Sequence, residues 1–503
     1  MINTVIFNDE IKVWWDYVKL STGEIFKVLL NGVEVGCTRK SHYNISGLTE
    51  NTKYKIKVEK ISIAGKLVAV IGENEVFTLN TKKRIDVTKP PYNAIPDGKT
   101  LNTLAIQKAI NDCKHDECVY FPDGIYLTGA LDLKSDLELY LSNDAIVQGS
   151  IDEKDYLPKI TSRFEGCEEL CYRSLLNAGN INSNGETNCQ NITIRGGKIW
   201  GGGQKLRINT INAEKYEVLK YYGLENEINP GYYYESVLPG RTRGRLFGFN
   251  NVKNVVVANC ELGNSPSWNL HFTYCKNIVT CSSKISSHRI SNGDGIDPDS
   301  SKNCVIFDVE FNTGDDCIAI KSGKNLEGYL VGRPCENIRI FDILVKDGHG
   351  IAIGSEMSGG VKDVKIWNCK ILAGTGIYFK SSEKRGGYIK NISISNCHAP
   401  TISISMNCSC NIDGEPAPKL PEIKDIVIED VSLTGVNKFT GEHERVEPDN
   451  AITICGLDER HQIENVILKN VTLKYRQMIP NQIMNLFNVK NVTLENIFCL
   501  GEI

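Results

Sequence analysis

One short phrase recurs along most of this 503-residue chain. It reads Asn or Asp, a branched apolar residue, any residue and a second branched apolar residue, as in Asn191-Ile192-Thr193-Ile194. Its first residues are Asn191, Asn254, Asn337, Asp363, Asn391, Asp425, Asn465 and Asn491. In the middle of the chain the interval is roughly 23 to 34 residues, a period typical of stacked repeat units. Since one such coil cannot bury its apolar face alone, the repeat predicts a right-handed parallel β-helix with a continuous core.

The corners and the N-terminal end of this stack carry their own signals. The Asn at each corner is expected to form a hydrogen-bonded ladder from coil to coil, which is a structural role. The stretch from Thr103 to Asp112 is the one clear amphipathic helix of the sequence, with Leu104, Ile106 and Ile110 as its apolar residues. We expect this helix to cap the open N-terminal end of the stack.

Residues 1–85 read as a separate small all-β domain, and residues 86–503 as the β-helix domain. In the first part, alternating segments such as Lys53-Tyr54-Lys55-Ile56-Lys57-Val58 are separated by Asn-Gly and Gly-rich turns. The stretch from Gly47 to Tyr54 resembles the turn-and-tyrosine segment of fibronectin type III domains, which implies a β-sandwich. Charged residues and prolines at 81–84 and 89–92 are typical of a linker.

Composition excludes several classes of protein. With 41% apolar and 23% charged residues, the chain is typical of globular rather than disordered proteins. The net charge of -4 argues against a general nucleic-acid binder, although a local basic cleft can still take an anionic substrate. No apolar run reaches the length of a transmembrane helix, and the N-terminus lacks the regions of an export signal. We therefore expect a cytoplasmic protein, or a secreted or periplasmic one if a signal was removed; the oligomeric state is left open.

The eighteen cysteines favour reduced thiols over disulfides. Cys260, Cys304, Cys369 and Cys397 each follow an Asn at similar points of the repeat. That regularity fits small apolar residues stacked in a core better than a disulfide framework, which is mainly a device of small secreted domains. The sequence Cys408-Ser409-Cys410 could bind a metal, but no second Cys/His cluster has suitable ligand spacing. Core or strand-edge thiols are therefore the favoured interpretation of this pair.

Two acidic motifs lie about one coil apart within the repeats. Asn292-Gly293-Asp294 is followed by Gly314-Asp315-Asp316, which contains the only adjacent aspartate pair of the sequence. Like charges at the edge of a buried strand push each other's protonation states apart. Such carboxyl groups can protonate a leaving oxygen and activate water, as the hydrolysis of a glycosidic bond requires. The alternative interpretation is a solvated turn rich in Asp and Gly.

Stacking is expected to bring further residues to the same patch. Rungs of a β-helix lie about 4.8 Å apart, and Asp294 precedes Asp315 by 21 residues. Gly348-His349-Gly350 follows after one coil plus an insertion, and Tyr378-Phe379-Lys380 after a further coil. Four rungs should therefore direct Asp294, Asp315 with Asp316, His349 and Lys380 to one site. Taken alone, His349 would more readily be a glycine-flanked turn histidine.

In this order, the Asn-Gly-Asp, Gly-Asp-Asp and Gly-His-Gly motifs and the Lys-containing strand resemble glycoside hydrolase family 28, the polygalacturonases. The resemblance covers most of residues 86–503 and includes the stretches 97–100, 119–124, 265–268 and 355–360. It implies an enzyme without cofactor or metal that cleaves α-1,4-galacturonosidic bonds of pectic substrates with inversion. Asp315 would be the general acid, and Asp294 and Asp316 would activate the water. His349 would orient the acid or keep it protonated, and Asn292 would position substrate or water.

One position departs from the family pattern. Lys380 matches the lysine of the family's Arg-Ile-Lys motif, but Tyr378 stands at the arginine position. The usual bidentate grip on a uronate carboxylate is therefore in question, because a lysine alone is only a point charge. Tyr378 and Lys380 are themselves candidate substrate-binding residues, and Lys321 and Arg385 are candidates that could compensate for the missing arginine. Further candidates are Lys384, Arg241, Arg243 and Arg245.

The resemblance also bears on where a substrate chain is cut. The stretches Ser265-Pro266-Ser267-Trp268 and 354–360 look like those of the exo-acting bacterial branch. Removal of mono- or di-galacturonate from chain ends is therefore expected. The aromatic-rich insertion from Tyr221 to Tyr234 could wall one end of the groove, or it could be an ordinary surface loop whose tyrosines pack on the coil beneath.

Three alternatives stay open at the level of sequence. Tyr378 motivates a substrate such as rhamnogalacturonan or a substituted galacturonan within the same family. A pectate lyase would keep the fold but use bound calcium and a basic residue. Against a calcium loop at 294–299, the ligand alternation and the closing Glu are absent. The third alternative is a non-catalytic, carbohydrate-binding β-helix.

Overall fold

A computed structural model describes residues 1–182, 186–222, 242–410, 413–439, 445–448, 450–475 and 483–501. The chain divides into two compact units, Met1–Lys83 and Arg84–Ile503. No helix in these ranges is long and apolar enough to cross a lipid bilayer.

The first unit is a sandwich of two antiparallel sheets. Its strands are β1 Ile2–Ile6, β2 Glu10–Trp15, β3 Glu24–Leu30, β4 Val33–Thr38, β5 His42–Ser46, β6 Lys53–Ser62 and β7 Leu67–Phe77. The sheet β1-β2-β5 packs on the sheet β4-β3-β6-β7 through one apolar core, in which the rings of Trp15 and Phe26 lie 5.0 Å apart. The Tyr54 hydroxyl accepts the Thr49 N–H at 3.0 Å, as in the tyrosine corner of immunoglobulin-like sandwiches. The more specific fibronectin type III assignment stays a prediction.

The second unit is a right-handed parallel β-helix, as the repeat predicts. Two long parallel sheets run along it. The smaller sheet contains β11 Leu131–Leu133, β16 Leu176–Gly179, β19 Phe247–Asn250, β22 Leu270–Thr273, β24 Ile296–Asp299, β26 Ile318–Ile320, β29 Gly350–Ile353, β32 Gly376–Lys380, β35 Thr401–Ser405, β40 Ile452–Cys455 and β42 Met484–Phe487. Each of these strands pairs with the next one in the chain, so that successive coils stack in order.

The larger sheet covers the rest of each coil and contains two strands in many of them. Its strands are β8 Lys83–Asp86, β9 Glu117–Phe121, β10 Gly124–Thr128, β12 Leu137–Leu141, β13 Ala145–Gly149, β17 Cys189–Arg195, β18 Lys198–Trp200, β20 Val252–Ala258, β21 Glu261–Gly263, β23 Lys276–Ser286, β25 Lys302–Asn312, β27 Cys335–Phe341, β28 Leu344–Asp347, β30 Val361–Trp367, β31 Lys370–Ile371, β33 Tyr388–Ser395, β34 His398–Ala399, β36 Glu422–Glu429, β37 Ser432–Leu433, β41 Ile463–Tyr475 and β43 Val489–Gly501. Two antiparallel hairpins stand outside both sheets: β14 Ile160–Phe164 with β15 Cys167–Cys171, and β38 Val436–Phe439 with β39 Arg445–Pro448.

The helices lie between strands of the β-helix. They are α1 Thr103–Asp112, α2 Gly203–Tyr222, α3 Asn325–Val331 and a 3₁₀ helix at Glu153–Tyr156. Helix α1 has the predicted bounds, and its Ile106, Ala109 and Ile110 join the core of the stack. Leu104, the third apolar residue named in the sequence analysis, does not join this core, because it is 88% exposed. Leu104 precedes Ile106 by two residues, which is a rotation of about 200° around the helix axis, so its side chain points away from the core.

The corner asparagines form the predicted ladder. Asn277 donates to Asn254 at 2.8 Å, Asn303 donates to Asn277 at 2.9 Å, and Asn337 donates to Asn303 at 2.7 Å, each from its side-chain amide to the next side-chain carbonyl. Their φ angles lie between 57° and 60°, in a left-handed region that Asn adopts more readily than most residues. One residue type therefore both turns each coil and links it to its neighbour.

The core between the sheets is a column of branched aliphatic side chains. In the larger sheet Ile306, Ile340 and Ile366 pair in register on successive coils, and all three are buried. Fully burying such a side chain contributes about 1.5–3 kcal/mol to the free energy of unfolding. The apolar phrase of the sequence therefore becomes one continuous core along the stack.

The cysteines follow the sequence prediction except at one place. All eighteen are free thiols, and the four that follow Asn in the repeat are buried. Cys408 and Cys410 differ, since they lie beyond the end of β35, one half-buried and the other exposed. The expectation of core or strand-edge thiols is therefore wrong for this pair.

Candidate active site

Four consecutive rungs of the smaller sheet, β24, β26, β29 and β32, bring the predicted residues together. The acidic motifs and Gly348-His349 immediately precede their strands, so their side chains start from the same end of the sheet. The Gly295 N–H donates to the Asp316 carbonyl at 2.9 Å, and the His349 N–H donates to the Asp315 carbonyl at 2.9 Å. These backbone bonds fix three motifs, far apart in the chain, on neighbouring rungs.

Close approach of these loops depends on Gly348. Its φ is 115°, and a Cβ at this position would lie 2.1 Å from Thr313 Oγ1 and 2.7 Å from Cys317 Sγ. Any side chain would therefore displace the loop that carries His349. The first glycine of the Gly-His-Gly motif is a backbone requirement of the site.

His349 and Asp315 form an ion pair. His349 Nδ1 lies 3.0 Å from Asp315 Oδ1 and 3.6 Å from Asp316 Oδ1. Burial disfavours the imidazolium, but these carboxylates outweigh it and raise the pKa of His349 to about 10. Burial also opposes ionisation of Asp315, but the His349 cation outweighs it and holds the pKa of this carboxyl well below its ordinary value. The ion pair therefore fits an orienting role for His349 and favours the ionised form of Asp315.

Asp316 accepts hydrogen bonds on both oxygens. Lys380 Nζ lies 3.0 Å from Oδ2, and the Tyr378 hydroxyl donates to Oδ1. The tyrosine ring is buried against Ala319 and Ala352, which precede it in register on the two previous rungs. Small residues on those rungs leave room for the ring. The residue at the arginine position is therefore directed at a carboxylate of the site, not at solvent.

A second cation serves Asp294. Lys321 Nζ lies 3.3 Å from Asp294 Oδ2, 3.7 Å from Asp297 Oδ2 and 3.5 Å from the centroid of the Trp268 ring. Burial raises the pKa of Asp294 well above its ordinary value, against the attraction of Lys321. Burial likewise raises the pKa of Asp297 to about 8. Within the part of the chain that the structure describes, Asp294 Oδ1 has no hydrogen-bond partner, so it is a buried acceptor suited to a donor from water or substrate.

Asn292 and Arg385 both form hydrogen bonds with groups other than the three aspartates of the two acidic motifs. Asn292 Oδ1 accepts a hydrogen bond from Arg243 at 2.8 Å, and its φ of 53° turns the chain just before Asp294. Arg385 is buried and donates to the carbonyls of Ser355 at 2.7 Å and Cys410 at 2.8 Å. These bonds go to main-chain carbonyls, and the substrate-binding role of Arg385 stays a prediction. Arg241 and most of the insertion from Tyr221 to Tyr234 lie outside the described residues.

A hairpin that sequence analysis missed stands beside the site. Phe164, at the end of β14, stacks on Trp268 with ring centroids 4.8 Å apart and an interplanar angle of 12°. Trp268 also contacts Lys321, so this ring lies between the hairpin and the cation that is paired with Asp294. Two short β-favouring runs around Glu165-Gly166 were the available sequence signal.

The hairpin is held in place by a buried ion pair. Arg163 Nη1 lies 3.1 Å from Asp299 Oδ1 and 3.0 Å from Ser300 Oγ. Burial opposes ionisation of Asp299, but Arg163 and His271 outweigh it and lower the pKa of this carboxyl. A charged pair of this kind is costly to break, because either partner would be left buried alone. The hairpin is therefore a fixed part of the site.

Asp315, Asp316 and His349 are also close enough to collect a cation, with one ligand atom from each lying within 4.8 Å of the others. Their surroundings fit ion pairs better. A metal-binding imidazole must offer a free nitrogen lone pair, whereas Nδ1 of His349 faces Asp315 in an ion pair and the pKa of the ring is raised to about 10. Asp316 already accepts from Lys380.

Comparison with known sequences gives consistent matches. The family described as Glycosyl hydrolases family 28 matches residues 231–495. The exo-poly-alpha-D-galacturonosidase of Dickeya chrysanthemi is 28% identical over 432 residues, which cover 80% of this chain and 70% of that protein. The probable polygalacturonase of Vitis vinifera is 31% identical over 367 residues, which cover 68% of each protein.

Solved structures give the same result for the fold. A family 28 exopolygalacturonase from Yersinia enterocolitica superposes with a TM-score of 0.79, covering 99% of this chain and 96% of its own at 21% identity. A hyperthermoactive exopolygalacturonase from Thermotoga maritima gives a TM-score of 0.65 at 26% identity, covering 83% and 91% respectively.

Proposed function

Since this chain belongs to glycosyl hydrolases family 28, we propose that it hydrolyses α-1,4-galacturonosidic bonds of pectic galacturonan or oligogalacturonides from chain ends, with inversion. One observation carries this proposal: Asp294 and Asp315 lie on adjacent rungs but have different cationic partners. Carboxyl groups separated in this way can divide the acid and base roles of glycoside hydrolysis.

Asp315 is the proposed general acid. The proton that it needs is shared with His349, whose Nδ1 lies 3.0 Å from Asp315 Oδ1 and whose pKa is raised by that carboxylate. Besides His349, Lys380 and Lys321 favour the ionised form of Asp315. A substrate carboxylate paired with Lys380 offsets part of that effect, so the proton moves toward Asp315. Asp315 then transfers it to the glycosidic oxygen as the bond breaks.

Asp294 is the proposed base, with Asp316 beside it. The partnerless Oδ1 of Asp294 can accept a proton from the attacking water. Burial raises the pKa of this carboxyl, and Lys321, 3.3 Å from Oδ2, opposes that effect and favours the ionised form that a base requires. Asp316, held by Lys380 and Tyr378, can orient the same water. Asn292, just before Asp294, is a candidate to position substrate or water.

The substrate and the exo mode are supported by two features. Against the effect of burial, neighbouring carboxylates raise the pKa of both Lys380 and Lys321, so each remains a cation that can attract a uronate. The β14–β15 hairpin adds a fixed wall beside Trp268. We propose that this hairpin closes one end of the substrate groove, so that only the end of a chain fits. The two relatives named as an exo-poly-alpha-D-galacturonosidase and an exopolygalacturonase agree with this mode.

Product analysis on defined oligogalacturonides tests the proposal. We expect mono- or di-galacturonate as the first product, and NMR should show the anomer inverted relative to the substrate. Asp315→Asn is the matched inactive control. Products from the middle of the chain would contradict the exo mode, and an unsaturated, ultraviolet-absorbing product would indicate a lyase. Binding without any release of reducing sugar would indicate a non-catalytic protein.

A second substrate has specific support from Tyr378. Its hydroxyl and the Lys380 ammonium are both engaged by Asp316, so the expected two-cation grip on one uronate is weakened. Rhamnogalacturonan or a substituted galacturonan would need less of that grip. Parallel assays on unsubstituted oligogalacturonide and on these polymers distinguish the candidates. The preferred substrate should give the highest kcat/KM of the set.

A cytoplasmic location is part of the proposal. Eighteen free thiols fit a reducing compartment better than an oxidising one. The substrate would then be an oligogalacturonide that has entered the cell, not the intact polymer. Cell fractionation with antibody detection tests this, and recovery of the protein only from the medium or periplasm would contradict it.

A further inference from the structure

The turn that contains Cys408 and Cys410 is held directly beside the lysine of the site. The Cys408 N–H donates to the Ser381 carbonyl at 2.8 Å, and Ser381 follows Lys380 in the chain. On the other side, the buried Arg385 guanidinium donates to the Cys410 carbonyl at 2.8 Å. The turn is therefore fixed between the residue that follows Lys380 and the Arg385 guanidinium. Lys380 itself contacts Asp316.

The two thiols of this turn are close together. Cys408 Sγ accepts the main-chain N–H of Cys410 at 3.3 Å, so the first sulfur already lies over the residue that carries the second. Residues two apart in a tight turn fall within the Cα separation that a disulfide spans. Cys410 is exposed and Cys408 half-buried, whereas most of the other cysteines are buried in the stack. A reagent in solution can therefore reach this pair.

The surroundings of the two thiols make Cys408 the nucleophile and Cys410 the thiol that reacts second. A hydrogen bond from Cys410, assisted by the Lys380 and Arg385 cations, lowers the pKa of Cys408 to about 6. The same hydrogen bond raises the pKa of Cys410. Cys408 is therefore largely a thiolate at neutral pH, which is the reactive form in disulfide exchange.

We infer that Cys408 and Cys410 form a thiol–disulfide exchange site whose oxidation state sets the charge beside Lys380. The oxidant is a small-molecule disulfide such as oxidised glutathione. The Cys408 thiolate attacks one sulfur of this disulfide, the S–S bond breaks, and one thiolate leaves and takes up a proton. Cys410 then loses its proton and attacks Cys408 Sγ, which releases the second thiol and forms the Cys408–Cys410 disulfide. One small disulfide is reduced to two thiols while the protein dithiol is oxidised.

The consequence for activity rests on the proposed function. In the reduced protein the negative charge of the Cys408 thiolate partly offsets the positive charge of the nearby Lys380, so that Lys380 attracts an anionic substrate less strongly. Oxidation removes that negative charge, so Lys380 attracts a uronate more strongly. For a partly screened single charge we expect KM to fall about threefold, with little change in kcat.

The chemistry is tested on the full-length, fully reduced protein. It is incubated with a buffer of oxidised and reduced glutathione, alkylated and mapped by peptide mass spectrometry. We expect a disulfide between Cys408 and Cys410, seen as the loss of two hydrogen atoms from one peptide. Cys410→Ser should instead retain glutathione on Cys408, because nothing resolves the mixed disulfide. Cys37→Ser, which removes an exposed thiol of the first unit, should behave as wild type. Absence of the disulfide under conditions that oxidise free dithiothreitol would overturn the exchange site.

The link to activity is tested separately by measuring KM for an oligogalacturonide in both oxidation states. An unchanged KM in a protein shown by mass to be oxidised would overturn the effect on Lys380. A Cys408→Ser variant whose KM still responds to glutathione would overturn the assignment to this pair. Disulfide formation in a protein that never hydrolyses oligogalacturonides would support the exchange site and contradict the proposed function, so the two failures are distinguishable.

Discussion

The asparagine corner and the acidic face use the same coils in opposite ways. At the corner each coil repeats one neutral amide, and the ladder bonds of three successive coils measure 2.8, 2.9 and 2.7 Å. At the acidic face each coil contributes a different charged group, and these groups close into ion pairs between coils. The contributions of the ladder bonds to stability are therefore expected to be similar and additive. On the acidic face, by contrast, the protonation of each group depends on its neighbours. The fold provides the spacing for both, and only the side chains separate scaffold from site.

The largest expected difference between the acidic face and the asparagine corner is the loss of activity in Asp315→Asn. We expect kcat to fall about 10²–10⁴-fold, because the amide cannot donate the proton that a general acid supplies. Thermal unfolding should show that the fold is retained. Asp363→Asn, the same change at a corner, is the matched control and should keep wild-type kcat. A variant of Asp315 that retains most of its turnover would contradict the acid assignment.

Tyr378→Phe tests whether the residue at the arginine position acts through Asp316. Loss of a hydrogen bond to a charged group is worth about 1.5–3 kcal/mol, so we expect kcat to fall about 10-fold or more. KM should change little, and the acidic limb of the pH–rate profile should move. Tyr388→Phe, in the larger sheet, is the control. A change in KM alone would mean that Tyr378 binds substrate, as the sequence predicts.

Asn303→Ala probes the other side of the comparison. It removes the amide that donates to Asn277 and accepts from Asn337, and it places Ala at a φ of 58°. We expect the free energy of unfolding to fall by about 1–3 kcal/mol, measured by urea denaturation. The kcat should not change, because the ladder bonds act independently of the acidic face. A large loss of kcat would show that the two regions are coupled.

The smallest expected effect is a pH dependence of stability. The pKa of His349 is raised from 6.5 to about 10 by Asp315 and Asp316, against the effect of burial. Its contribution to stability is therefore complete below pH 6.5 and is lost as pH rises toward 10. The difference in unfolding free energy between wild type and His349→Asn should shrink over that interval. A difference that grows with pH would contradict the protonated state assigned to His349.

Much of the scaffold could be predicted from the sequence because it is repetitive. The recurring Asn phrase predicted the coil, the ladder and the buried cysteines that follow Asn. The spacing of the acidic motifs predicted Asp294 and Asp315 on adjacent rungs. These predictions depend only on period, which a single sequence displays. Leu104 shows the limit of this reasoning, since apolar residues in a helix do not by themselves identify the buried face.

The remaining features depend on contacts between unlike side chains. Nothing local in the sequence indicates that the Tyr378 hydroxyl donates to Asp316. The tyrosine ring fits there only because Ala319 and Ala352, on the two previous rungs, are small. The same holds for the hairpin, which is placed by Phe164 on Trp268 and by Arg163 on Asp299. Helix α2 was missed because its apolar residues do not gather on one face. Such pairings are properties of the folded chain, not of any short segment.

Coil length varies greatly across the site without disturbing it. Pairing shifts by 22 residues from Ile296 to Ile318, by 33 from Ile318 to Ile351 and by 26 from Ile351 to Ile377. The longest of these coils contains helix α3, and yet His349 still meets Asp315. The positions of the acidic groups and of His349 therefore do not depend on insertions elsewhere in their own coil. An enzyme built this way can exchange the loops that select a substrate while inheriting its chemistry unchanged.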